Sequence, residues 1–388
     1  MKTRMALMFL TALLITSTSH YYLYIRLVSP LVEGNRAFWE VLFAGLWILV
    51  VLGLALVRAI PQRFRSLVEL PLYLWIGVGY VFLMLSFVTL PIHALLYFLL
   101  PKPGIENLAL GVLCVGGALS LWALFTVLRG EKVIETVIPL KRRLNNNVEN
   151  LKIAVISDVH ISGLIGKRRA SRLAKKVNSL GVDIIFVTGD LVDGSVKQLR
   201  NDVQPLGQLN APLGVHFVTG NHDYYSNATE WKAFVSEELG WNVLSNSSQI
   251  LEFGELKLNL MGIEDRTWLT VTRSSRKEDP RLILATQDLR VEHTDTGLNI
   301  LLAHQPKDAH LVKNFPWIDL QVSGHTHSGQ LWPLHVFVYK DQTYNKGLYQ
   351  IKETTNSQIY VNQGTGFWGP PLRLGTTCEI SLLKFKNL

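Results

Sequence analysis

The chain has 388 residues, 48% of them hydrophobic and 18% charged, with a formal net charge of +8. That is room for one large globular domain plus an apolar region that an average soluble domain does not carry, and the positive balance asks for anionic company. Two cysteines, Cys114 and Cys378, exclude a disulfide framework and a thiolate zinc site, and no basic run interleaved with stacking aromatics points to nucleic acid.

Residues 1–128 hold four apolar stretches: Met5 to Tyr24, Phe38 to Val57, Leu70 to Leu90 with a continuation to Leu100, and Leu108 to Leu128. Each supplies the roughly 20 residues that a spanning helix needs, because only intrahelical bonds satisfy the backbone where there is no water. Tyr21, Tyr22, Tyr24, Trp39 and Tyr97 sit near the ends, as interfacial aromatics do. The first stretch lacks a small-x-small cleavage site after its apolar core and reads as an anchor, not a signal peptide. With four spans, Lys2, Arg4, Arg58, Arg63, Arg65, Arg129, Lys132 and Lys141 to Arg143 share one side, against Arg26, Arg36 and Lys102 on the other. The expectation is a multi-pass protein of an inner or plasma membrane, with both ends in the cytoplasm and the bilayer as a partner. Pro91 marks the place where a second crossing or a re-entrant piece would change that parity, and His93 beside it reads as interfacial.

Residues 129–150 are polar, hold Pro139 and the basic run Lys141, Arg142, Arg143, and end in an Asn cluster, so they read as an exposed connection. From 151 to 388 one arrangement recurs: a short β-branched strand, then abruptly a cluster of Asp, His, Asn and Gly. Ile153 to Ile156 runs into Asp158 and His160, Ile184 to Val187 into Gly189-Asp190, and His216 to Val218 into Gly220-Asn221-His222-Asp223. Ile300 to Leu302 then precedes His304, and Leu320 to Val322 precedes Gly324-His325-Thr326-His327. Between the first two strands, residues 167–180 read as a helix with Ala170, Leu173, Ala174, Val177 and Leu180 on one face and a solvated basic face opposite.

Each cluster alone has a plain explanation as a cap, a turn or a structural histidine. Five in one domain, each at a strand end, do not. Two Asp, one Asn and four His form a mixed oxygen and nitrogen set suited to Mn, Fe, Zn or similar divalent ions.

The ordered motifs Asp-x-His, Gly-Asp, Gly-Asn-His-Asp, a lone His and Gly-His-x-His resemble those of the calcineurin-like metallophosphoesterase superfamily over roughly residues 151–385. With LLAHQP at Leu301 to Pro306, GHTHSGQ at Gly324 to Gln330 and the late NQGTGFWGPPLRLG segment, the chain looks like the membrane-associated bacterial phosphodiesterase branch, related to lipid metabolism. Ser328 stands where that branch often has Gly, outside the ligands. The resemblance implies an α/β fold, a four-layer sandwich of two central β-sheets flanked by helices, preceded here by an α-helical transmembrane region. It also implies two divalent metal ions. Asp158, His160 and His327 would hold one, Asn221, His304 and His325 the other, and Asp190 would bridge them. His222 would act on the transferring phosphoryl group, with Asp223 orienting it.

The function so implied is hydrolysis of a phosphodiester or pyrophosphate bond in a phosphorylated, lipid-linked substrate, such as a UDP-diacylglucosamine-type sugar lipid of lipid A synthesis. The alternatives are a broad phosphatase on soluble or protein monoesters, which uses the same in-line displacement, and an inactive metal-binding scaffold. Near the C-terminus, Phe367, Trp368 and Arg373 either recognise an acyl surface and substrate charge or form a packed terminal loop. The polar segment from Glu264 to Asp279 is a candidate cap over the site. Oligomeric state is open.

Overall fold

The computed structural model describes residues 2–32, 34–57, 60, 62–99, 102–273, 279–287 and 297–387. They form two compact units: Met1–Leu128 with Gly369–Leu374, and Arg129–Trp368 with Gly375–Leu388.

The first unit is helical: α1 (Lys2–Leu23), α2 (Arg36–Leu56), α3 (Gln62–Val88), α4 (Leu90–Leu99) and α5 (Lys102–Leu128). Among the described residues three segments are long and apolar enough to cross a membrane, Arg36–Leu56, Phe64–Val88 and Gly104–Leu128, with mean hydropathies of 2.2, 1.8 and 2.2. Helix α1 is also long, at 22 residues, but its second half carries the polar run Thr16, Ser17, Thr18, Ser19 and His20. Two of those hydroxyls bond back into the helix, Thr16 Oγ1 to Ala12 O at 2.9 Å and Ser17 Oγ to Leu13 O at 2.7 Å. The long stretch around Pro91 resolves into one long helix and one short one. Pro91 sits in the first turn of α4, where its missing N–H costs little. Ten residues of α4 rise only about 15 Å, half of a hydrocarbon core.

The segment Gly369–Leu374 packs with these helices. Pro370 and Leu372 lie so close to Gly77 of α3 that a β-carbon there would collide with them. Arg373 is fully buried, and its backbone N–H donates to Ala123 O of α5 at 3.0 Å. Of the two readings of Arg373, the packed loop is the one found.

The second unit holds two six-stranded mixed sheets. Its strands are β1 (Lys132–Pro139), β2 (Lys152–Ile156), β3 (Ile184–Thr188), β4 (Val215–Val218), β5 (Asn242–Val243), β6 (Ser247–Phe253), β7 (Leu256–Ile263), β8 (Leu298–Ala303), β9 (Leu320–Ser323), β10 (Gly347–Gln350), β11 (Gln358–Val361) and β12 (Glu379–Lys386). One sheet runs β1-β12-β2-β3-β4-β5 and the other β10-β11-β9-β8-β7-β6. Within them β2 to β5 are mutually parallel, as are β7, β8, β9 and β11. All five expected strands are present, and the expected helix is α6 (Lys167–Asn178), with Ala170, Leu173, Ala174 and Val177 buried.

The expected connection at 129–150 is corrected in part. Residues 132–139 form β1, paired in parallel with the whole of β12, and Ile138 is fully buried. The sequence KVIETVIP hides this because an edge strand, buried mainly at one end, carries its charges outward and resembles a polar loop.

The core lies between the sheets. Val155, Phe186 and Val218 from one meet Leu260, Ile300, Leu302 and Val322 from the other. Successive side chains alternate, so Leu301 and Ala303 enter a second cluster with Leu282, Ala309 and Val312. Strands β2, β3, β8 and β9 are thus buried on both faces, which is why they read as unbroken apolar runs. Their carboxyl ends carry the polar clusters, where open α/β sheets place ligands.

Candidate metal centre

Five loops leave β2, β3, β4, β8 and β9 and turn sharply. Asp158, His160, Asp190, His325 and His327 all have positive φ, between 45° and 69°. Non-glycine residues adopt this region at a cost, and such strain clusters at functional sites where neighbouring structure overrides it. Here the overriding contacts are bonds between loops: Asp158 N–H to Gly189 O at 2.9 Å, His160 N–H to Asp190 O at 3.1 Å, and His325 N–H to the Asp158 carboxylate at 2.9 Å. Gly324 is required at its position, since a β-carbon would strike Ser157 Oγ and Asp158 Oδ2.

Six of the seven candidate ligands fall into two groups. Donor atoms of Asp158, His160 and His327 lie within 4.8 Å of one another, and so do those of Asp190, His304 and His325. Asp190 stands between the groups: its Oδ2 is 3.2 Å from His304 Nε2 and 3.9 Å from His160 Nε2. Its Oδ1 accepts the His222 backbone N–H at 2.8 Å.

The donor set fits divalent cations by its own chemistry. His304 donates its Nδ1–H to Thr188 O at 2.7 Å, and His160 donates its Nδ1–H to Asp193 Oδ2 at 3.0 Å, which turns each Nε2 inward. His160 Nε2 then faces His327 Nε2 at 3.0 Å, and His304 Nε2 faces His325 Nδ1 at 3.2 Å. Two inward lone pairs at that separation repel unless a proton or a cation lies between them. Asn221 Oδ1, on the residue before His222, is buried and has no hydrogen-bond partner among the described residues, an orphaned acceptor.

The electrostatics of these side chains say the same. Burial alone would lower His160, but the carboxylates of Asp193, Asp190 and Asp158 outweigh it and push it up to about 9. Burial and then the neighbouring His304 take His325 down to about 4. Burial opposes ionisation of Asp190, yet His304 and His160 hold it far below the usual carboxylate range. The centre is a dense set of opposed charges that protons occupy when cations do not.

His222 lies at the edge of this centre, and its orienting partner corrects the expectation from sequence. Its Nδ1–H donates to Asp193 Oδ1 at 2.6 Å. Asp193 therefore holds two imidazoles, one on each oxygen, and burial notwithstanding they keep it well below the normal range. Asp223 turns away and accepts the backbone N–H groups of Gly220 at 2.7 Å, Leu191 at 2.9 Å and Asp190 at 3.0 Å. Residues 222 and 223 are adjacent in the one-turn helix Asn221–Tyr225, and neighbours on a helix point about 100° apart, so one cannot orient the other. Asp223 braces the loops that carry Asp190 and Asn221, and burial followed by the charge of Asp190 raises it to about 7. The available signal for Asp193 was its spacing, Asp-x-x-Asp from Asp190. The group His160, Asp193 and His222 also converges, but its contacts are carboxylate–imidazole bonds that are satisfied without an ion.

Two exposed aromatics flank His222: the ring of Tyr225 at 5.4 Å and that of Trp368 at 5.6 Å. Gln330 fixes Trp368 by bonding both its backbone N–H and its carbonyl at 2.9 Å. Phe367 instead points inward beneath the guanidinium of Arg169. The expected cap falls partly on residues 274–278, outside those described; Glu264 receives the hydroxyl of Tyr224 at 2.8 Å, and Asp265 receives Gln305 Nε2 at 2.6 Å.

Residues 151–329 match the family described as calcineurin-like phosphoesterase. A transmembrane protein with metallophosphoesterase domain from Danio rerio is 33% identical over 279 residues, covering 71% of this chain and 62% of that one. Its namesake from Bos taurus is 35% identical over 274 residues, covering 68% and 59%, and a metallophosphoesterase of Helicobacter pylori is 34% identical over 236 residues, covering 61% and 60%. The chain thus spans about three fifths of the length of these curated relatives. With the matched residues carrying all five loops and the six donors that converge in two groups, residues 151–329 of this chain form a domain of the calcineurin-like metallophosphoesterase family.

Proposed function

We propose that the protein is a membrane-anchored, metal-dependent phosphoesterase that cleaves a phosphodiester or pyrophosphate bond in a lipid-linked substrate. The observation that carries the hydrolytic reading is the convergence of His160, His327 and Asp158 and of His304, His325 and Asp190, beside a clamped His222. Asp158, His160 and His327 would hold one divalent cation, Asn221, His304 and His325 a second, and Asp190 both. When bound, such a pair supplies Lewis-acid activation of water and of phosphoryl oxygens.

The protein's own part follows from the hydrogen bonds. Asp193 fixes the His222 ring through Nδ1, which leaves Nε2 to hold a proton against the leaving oxygen or to stabilise charge on the phosphoryl group. Asp223 keeps the Asp190 and Asn221 loops in register through three backbone bonds.

The lipid-linked substrate is supported by the apolar surface around that histidine. Tyr225 and Trp368 are 70% and 55% exposed. The helix His335–Gln342 packs directly on Gly329, two residues after ligand His327, and exposes Val336, Phe337 and Tyr339, with Trp332 exposed just before it. Soluble domains rarely leave so many large apolar side chains in one place without a ligand or a bilayer to cover them. A nucleotide-linked sugar lipid of the UDP-diacylglucosamine type combines the required pyrophosphate with acyl chains. The relatives named as transmembrane proteins and the three apolar helices support the anchor. We place the catalytic domain in the cytoplasm, with α1 as a fourth crossing.

The test is a panel assayed with full-length protein reloaded with manganese or zinc. Expected is hydrolysis of a lipid-linked pyrophosphate at least tenfold more efficient than that of soluble monoesters, abolished by chelation. Faster turnover of soluble monoesters would overturn the lipid assignment, and activity that survives complete metal removal would overturn the hydrolytic mechanism.

A further inference from the structure

The helical unit contains a cavity of about 670 Å³ between the end of α1, the π-helical turn Tyr24–Val28 and the start of α2. That volume lies within the ~300–1,000 Å³ range of sites that hold small molecules. Its α2 wall is a single helical stripe, Arg36, Glu40, Phe43, Ala44 and Trp47, spaced by three and four residues. The stripe is charged at the helix end and apolar deeper in.

Most polar groups of the wall are already paired. His20 donates its Nδ1–H to Thr16 O at 2.7 Å and accepts Trp75 Nε1–H on Nε2 at 2.8 Å, so both nitrogens are used and the ring is neutral. Two groups differ. Trp47 Nε1–H is buried at the deep end and has no hydrogen-bond partner among the described residues. In an apolar setting an unmet donor is costly, and two helical turns below the charged end it is placed to meet an ester carbonyl. At the mouth, Arg36 Nε–H donates to Glu40 Oε1 at 2.9 Å, and Tyr24 donates its hydroxyl to the same oxygen at 3.3 Å. This exposed pair offers a cation and an anion one turn apart.

We propose that this cavity binds a phospholipid with a zwitterionic, primary-amine headgroup. The lipid phosphate lies on Arg36, its ammonium donates to Glu40, an ester carbonyl accepts from Trp47, and the chains run down the apolar part of the stripe. Each headgroup charge meets an opposite one, with the ethanolamine arm folded back from the phosphate so that its ammonium reaches Glu40 one turn inside Arg36. A headgroup with phosphate and no amine sets a negative charge against Glu40, so the site discriminates by charge. The binding is independent of the catalytic assignment, since every residue in it belongs to the helical unit.

Native mass spectrometry of the full-length protein in detergent, titrated with dioleoyl phosphatidylethanolamine or dioleoyl phosphatidylglycerol, tests this. Expected is one retained phosphatidylethanolamine per chain and at least tenfold weaker phosphatidylglycerol. Ala44→Trp fills the stripe and abolishes retention, Trp47→Phe weakens it severalfold, and Glu40→Gln brings the two lipids within about threefold of each other. Thermal midpoints identify misfolded variants, and Trp47→Phe and Glu40→Gln decide the matter if Ala44→Trp does not fold. Hydrolysis of bis(p-nitrophenyl) phosphate by the folded variants stays at the wild-type rate. Equal retention of both lipids by the wild type, or retention unchanged in the folded variants, overturns the proposal.

Discussion

Replacing Asp193 with Asn is the sharpest probe of how the centre is organised. The carboxylate accepts His222 Nδ1–H at 2.6 Å and His160 Nδ1–H at 3.0 Å, one on each oxygen. An amide of the same shape accepts only once, and its N–H₂ must face the second imidazole N–H. One bond to a charged group is then lost, worth about 1.5–3 kcal/mol, or roughly 10- to 100-fold in whatever it supports. If the amide oxygen stays with His222, the loss falls on His160 and on metal affinity; if it stays with His160, the loss falls on kcat. Metal content by mass spectrometry, kcat and KM on bis(p-nitrophenyl) phosphate and the pH profile separate the two. We expect kcat/KM to fall roughly 100-fold, in line with groups that orient metal ligands and catalytic histidines. Asp223→Asn should act differently, leaving one of three buried backbone N–H groups unmet and lowering the thermal midpoint by roughly 5 °C. An Asp193→Asn variant with full metal and kcat/KM within threefold of wild type, beside an Asp223→Asn variant with an altered pH profile, would return the orienting role to Asp223 and refute the reasoning.

Gly324→Ala should lose metal and fold poorly, because its β-carbon meets Ser157 Oγ and Asp158 Oδ2; a variant with normal metal content and stability would show that the two loops can part. A fragment beginning at Arg129 should be more stable to urea than one beginning at 145, which lacks β1 and leaves the β12 edge open, and equal midpoints would count against β1 as part of the sheet. Loading the chelated protein with zinc at pH 7.5 in weak buffer should release at least one proton per chain, since His160 is held near 9 without metal and must lose its proton to bind; an indicator dye that registers none contradicts this. Because that pKa lies above the unfolded value of 6.5, the same proton stabilises the chelated protein fully below 6.5, and its contribution fades as pH rises through about 9. A reporter fused after Leu388 should behave as cytoplasmic, and activity on the other face of the membrane would mean an odd number of crossings before the catalytic domain.

The sequence by itself determined the strands β2, β3, β4, β8 and β9, the helix α6 and the ligand clusters, because burial on both faces makes apolar runs and the abrupt Asp, His and Asn that follow have no place inside a core. It also exposed the apolar helices, whose signal is composition alone. What it missed depends on partners far along the chain. Strand β1 is a strand only because β12, some 250 residues later, lies beside it, and its edge position lets it carry a polar surface that local patterning reads as a loop. The pairing of Asp193 with His222 and the turning away of Asp223 are set by the direction in which a one-turn helix throws adjacent side chains, which no spacing rule reports. Tertiary packing also decided that Arg373 is buried while Trp368, five residues earlier, faces solvent beside His222, since the fate of a loop side chain depends on what the fold brings against it.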